Sequence, residues 1–155
     1  LVVDASLWAH APTTEAAVRQ PREPGATGCG KAGEMGLKPL AVVVLGSGGA
    51  ITVLERTDGS SLRRPGIAIG KANGAIQLGM GSRGIFNRAQ EQPYFIQAMN
   101  ALAKGSLVPV PGGVLIRNSG GAIIGAVGVT GDTSDNDEAC AIAAIEAAGL
   151  RADAG

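Results

Sequence analysis

From Leu40 onward, short apolar runs alternate with glycine-rich breaks. LAVVVLG (40–46) is an unbroken aliphatic, largely β-branched run, the pattern of a strand buried on both faces. Ser47-Gly48-Gly49 follows, then AITVLERT, so a hairpin is expected. The same device recurs downstream, where GGVLIRN leads through Ser119-Gly120-Gly121 into AIIGAVGVT. The pentapeptide SGGAI stands identically at 47–51 and 119–123, which predicts two hairpins sharing one turn chemistry. Between them the period changes to that of helices. Arg64-Pro65 suits a helix start, because proline is tolerated in the first turn, and the helical run extends to about Met80. It carries Gly66, Gly70 and Gly74 on one face, predicting close approach to another backbone. Pro93 to Lys104 reads as a second helix ended by Gly105. Ser134 with Asp137 three residues on has capping-box spacing before EACAIAAIEAA and the stop at Gly149. The order strand, strand, helix, helix, strand, strand, helix predicts an α+β fold with an antiparallel sheet covered by helices.

Residues 1–37 have a different texture. Prolines and glycines punctuate them repeatedly, and only Thr13–Gln20 reads as a short helix, so an irregular N-terminal segment is expected ahead of a domain at 38–155.

Composition narrows the function classes. With 155 residues the chain fits one domain with a core that needs no covalent staple. Glycine supplies 25 residues and aromatics only 3%, so the core must rest on Ala, Val, Ile and Leu over closely approaching backbones. Thirteen basic residues balance thirteen acidic ones, which lacks the basic excess of a nucleic-acid binder. Cys29 and Cys140 make no disulfide framework, and one histidine, His10, leaves a dedicated metal site without ligands; no metal is expected. The longest apolar run, 122–129, is far short of the ~20 residues that span a bilayer, and no basic region precedes an apolar stretch at the start. A cytoplasmic protein that engages neither membrane nor nucleic acid is expected.

A few polar residues occupy unusual places. Lys71 lies four residues after Ile67 and four before Ala75, on an otherwise apolar helix line. In an apolar setting it could act as a base or amine nucleophile; equally, its stem could cover apolar surface while its ammonium reaches water or a carboxylate. Arg56 and Asp58, two apart at the end of a strand, share a face; Arg56 is either a bidentate carboxylate clamp or part of a surface ion pair. GAVGVTGDTSDNDE runs from a strand into a helix start, as an anion cradle would, but has no P-loop lysine. Its crowd of Asp132, Asp135, Asp137 and Glu138 is better explained by complementing the helix dipole. Gly112-Gly113, after Pro109 and Pro111, permits close approach of a ligand or a neighbouring chain.

Taken in order, VVVLGSGGAITVLERTDGS, IAIGKANGA and VPGGVLIRNSGGAIIGAVGVTGDTSDNDEACA resemble the GlcG/HbpS family of haem-binding or haem-degrading-type domains, related to the C-terminal domain of PduO-type proteins. The resemblance covers roughly residues 38–150. It implies a profilin-like antiparallel sheet flanked by helices, assembly as a homo-oligomer (commonly an octamer), haem as the candidate cofactor, and a bacterial source. The positions it carries over are Arg56, Asp58, Lys71, Gly112, Gly113, Thr130 and Glu138; Leu115 stands where the family commonly has proline. Two functions follow as expectations. One is a small-ligand (haem) binding oligomer whose ligand meets Arg56, Asp58, Lys71, Gly112, Gly113 and Thr130. The other is a cofactor-independent enzyme acting on a small carbonyl or carboxylate compound, with Lys71 as base or nucleophile, Arg56 as clamp and Glu138 as acid/base partner.

Overall fold

The computed structural model describes residues 36–155; the expected helix at Thr13–Gln20, with His10 and Cys29, lies outside the described residues. The described chain runs β1 (Ala41–Gly46), β2 (Ile51–Arg56), α1 (Arg64–Leu78), α2 (Ser82–Glu91), α3 (Pro93–Leu102), β3 (Gly113–Arg117), β4 (Ile123–Thr130), α4 (Ser134–Ala147) and β5 (Arg151–Asp153). The strands form one antiparallel sheet in the order β2-β1-β4-β3-β5. Both expected hairpins are present, and β4 pairs with β1 to join them.

The two SGGAI turns have the same hydrogen bonding. Gly46 N donates to Ala50 O and Gly49 N to Gly46 O; likewise Asn118 N donates to Ala122 O and Gly121 N to Asn118 O. The second glycine takes φ 81° in one turn and 84° in the other, a backbone region open to glycine at no steric cost. A register shift lies beside each turn, between Val44 and Leu45 and between Ile116 and Arg117.

Alternation along the strands divides the core. Val42, Val44, Val114, Ile116, Val127 and Val129 face α4, meeting Cys140, Ala141, Ala144 and Ile145. Ala41, Val43, Leu45, Leu115 and Ala126 face α1, meeting Ala68, Ala72 and Ala75. β1 is buried on both faces, as its continuous apolar run predicts. On the α1 side the layers meet backbone to backbone. A Cβ at Gly128 would be driven into Ala68 O, and one at Gly113 into Lys71 O.

Three features differ from the sequence reading. The glycines that bring α1 to the sheet are on the strands. Of the helix stripe, Gly70 and Gly74 abut Val108 and Leu107, whereas Gly66 faces open space. Two elements were also missed. α2 buries only Ser82 and Ile85, too little apolar surface to show a period. β5 is a three-residue edge strand held to β3 by Arg117 Nε donating to Asp153 at 2.7 Å. The cap of α4, finally, is Thr133 rather than Ser134: Thr133 Oγ1 accepts from Asn136 N at 3.2 Å.

Candidate ligand site

The polar residues of interest gather at the end of the sheet where β1 starts and β2 and β4 finish. α1 crosses this end with Arg64 and Lys71 seven residues apart, hence on one side of the helix about 10 Å apart along its axis. Each reaches across to the β4–α4 segment. Lys71 Nζ donates to Val129 O and to Asp137 Oδ2, both at 2.9 Å. Arg64 Nη1 donates to Thr130 Oγ1 at 3.1 Å.

The Lys71–Asp137 pair is closed off, each residue being 1% exposed. Asp137 Oδ1 also accepts from Asp132 N at 3.0 Å, so both carboxylate oxygens are engaged. Burial pushes the Lys71 ammonium below the usual lysine range; Asp137 opposes that shift and the nearby Arg64 charge adds to it. Gly112, at φ 113°, lies directly over the pair: a Cβ there would come within 2.9 Å of Lys71 Nζ and 3.0 Å of Asp137 Cβ. Gly112 O accepts from Val129 N at 2.8 Å, and Gly113 N donates to the buried Ser82 Oγ at 2.7 Å. Lysine, aspartate and diglycine thus lock α1, α2, α4 and the β3–β4 hairpin together at one point. Of the two readings left open for Lys71, its ammonium reaches a carboxylate, but in the interior and away from water.

The expected site residues divide into groups. Lys71, Gly112, Gly113 and Thr130 come together. Arg56 is registered through Ala41 with Thr130, on the α1 face but two strand spacings away, about 10 Å. Its exposed guanidinium donates to Ser60 O at 3.2 Å. Asp58 is exposed in the turn beyond. Glu138 points to α2, where Arg83 bridges it and Asp135; these acids hold the Arg83 guanidinium even more firmly protonated than usual. The four acids at the α4 start therefore serve different ends: Asp135 and Glu138 share Arg83, and Asp137 holds Lys71. Asp132 accepts from Lys38 N, Thr133 N and Asn136 Nδ2, which lower its carboxyl to about 2.

Ser82, Asp137 as the partner of Lys71, and Arg64 as a partner of Thr130 escaped the sequence reading. The one signal for Arg64 was its place on the same helix line as Lys71. Among the described residues, no group of three or more His, Cys, Asp and Glu could hold a metal ion, and no helix is long and apolar enough to cross a membrane.

The order of these pieces along the chain has a counterpart among known proteins. Residues 22–146 match the family described as "Haem degrading protein HbpS-like". The chain belongs to this family. Solved structures of the same fold include the PduOC–haem complex, at 23% identity and TM-score 0.70 over 79% of this chain and 86% of that one. Protein ORFY of Klebsiella pneumoniae aligns at 24% identity and TM-score 0.69, covering 96% and 90% of the two chains. A double mutant of Streptomyces reticuli HbpS aligns at 21% and 0.64, covering 94% and 85%. No curated protein matches the chain. The HbpS-like assignment agrees with the five-stranded sheet and its flanking helices.

Proposed function

We propose that this HbpS-like chain is a small-ligand-binding protein that acts as a homo-oligomer in the cytoplasm, with haem as the first candidate ligand. The observation that carries the reading is the cationic edge where Arg64, braced by Thr130, stands outside the closed Lys71–Asp137 pair. It is supported by membership of a haem-degrading family and by the haem bound in the PduOC neighbour. The fit to haem is to the periphery of the porphyrin, since arginines suit propionates. The described residues supply no evident axial ligand at this edge. Cys140 is sealed in the α4-side core, Met80 and Met99 pack around Ile85 and Leu107, and Tyr94 is exposed on α3. Bound haem would bring redox chemistry of its own iron. This chain's part is to hold and orient the ligand, with Lys71, Gly112 and Gly113 fixing the backbone beneath it.

Haem titration of the size-characterised oligomer, followed by absorbance, tests the reading. A saturable, shifted Soret band of stoichiometry fixed per subunit or per interface is expected. The spectrum of free haem alone, at every ratio, overturns it.

A further inference from the structure

Three cations stand on the α1 face at this end of the sheet, and they differ in what they have left to offer. Lys71 is neutralised by Asp137 and closed off. Arg56 is exposed and folds back onto the backbone carbonyl of Ser60 four residues on, a local contact within its own turn. Arg64 is half-buried and anchored on Thr130, whose side chain is fixed at the end of β4 and 2% exposed. Among the described residues Arg64 faces no carboxylate. A guanidinium carries five N–H donors in a planar fork; among the described residues Thr130 Oγ1 alone takes one, in an orientation that leaves the others for a second partner.

We infer that Arg64 is the carboxylate receptor of the ligand site, which rests on the small-ligand reading above and replaces Arg56 in the clamping role. The ligand class is then a compound bearing at least one free carboxylate, a haem propionate or a small organic acid. The guanidinium meets it through paired N–H···O bonds, a geometry that a lysine at this position could not reproduce. Thr130 positions Arg64 rather than touching the ligand. Because Lys71 already has its carboxylate, the anchored positive charge at this edge that lacks one among the described residues is that of Arg64, with Arg56 adding to it at a distance.

The test compares haemin with haemin dimethyl ester, which keeps the ring and iron but loses both free carboxylates, on the intact oligomer. The wild type is expected to bind haemin about tenfold or more tightly than the ester. R64M should bring the two within about threefold, R64K should recover part of the preference, and T130V should weaken it while leaving the arginine in place. Equal binding of haemin and ester by the wild type, with a Soret shift for both, overturns the arginine's role and leaves haem binding standing. If neither porphyrin binds, the haem reading fails and succinate becomes the probe, followed by the Nε–Hε NMR signal assigned to Arg64 by its loss in R64M. A saturable shift of that signal upholds the receptor; an unmoved signal up to millimolar succinate overturns it.

Discussion

Replacing Lys71 with methionine isolates the buried ion pair, because methionine keeps most of the unbranched stem and removes only the charge and its donors. In K71M the Asp137 carboxylate stays 1% exposed, keeps the Asp132 N–H and loses its counter-charge, while the Val129 carbonyl loses its side-chain donor. Breaking a buried pair from one side costs about 3–5 kcal/mol. With a urea slope of about 2 kcal/mol per molar, the unfolding midpoint should fall by about 2 M at fixed protomer concentration. The double variant K71M/D137N separates charge from packing. It removes both charges and keeps an oxygen for the Asp132 N–H. It should recover about 2 kcal/mol of the loss. A K71M cost below about 1 kcal/mol, or a double variant no better than the single, refutes the view that an uncompensated buried charge is the source.

The pH dependence of the same comparison carries a sign. Burial lowers the Lys71 pKa in the folded chain, so the folded state holds this proton more weakly than the unfolded one. That opposes folding at all pH values below the folded pKa, and the penalty fades as pH rises from there towards the unfolded value of 10.5. Wild type should therefore gain on K71M as pH approaches 10.5. A gap that narrows instead would mean that Asp137 holds the proton on Lys71 more strongly than burial drives it off.

Further outcomes follow from single contacts. G128A should cost about 3 kcal/mol or more in urea unfolding, because its Cβ meets Ala68 O and Ala72 Cβ with no room to relax; G66A, in open space on α1, should stabilise by about 0.5–1 kcal/mol. D132N should flatten acid unfolding. The wild-type carboxylate, lowered to about 2 from 3.8, contributes stability above pH 3.8 that disappears as pH falls to about 2, and equal pH profiles would refute its role as the Lys38–Thr133–Asn136 acceptor. In a Cys29→Ser background, Cys140, whose thiol burial pushes up, should react with Ellman's reagent at pH 8 only once urea is added; rapid reaction of the folded protein would place the α4-side core in solvent.

Local pattern and tertiary pairing differ sharply in how far they can be read from this chain. The two hairpins were legible because their cause is local: SGGAI sets the turn by glycine at positive φ, and strand alternation follows from it. β1 and α4 were legible because each buries a continuous aliphatic surface. α2 was not, since SRGIFNRAQE buries two residues and draws its stability from Ile85 in the Leu107 cluster and Ser82 on Gly113. The site was half legible for a more specific reason. Asp137 stands where an acid would in any case complement a helix start, so the local explanation was sufficient and concealed the tertiary one. Arg64 was hidden likewise behind Pro65 as a helix opening.

Both residues acquire their roles from partners 66 positions away in the chain, Lys71 for Asp137 and Thr130 for Arg64. The equal separation has a physical origin. Arg64 and Lys71 are two turns apart on α1, while Thr130 and Asp137 close β4 and open α4, so the two links span the same junction side by side. Inside the junction the cation has a carboxylate and α1 is fixed to the sheet. One step further out the cation has, among the described residues, a hydroxyl and no carboxylate, so the receptor role proposed for Arg64 uses the same geometry that fixes the fold.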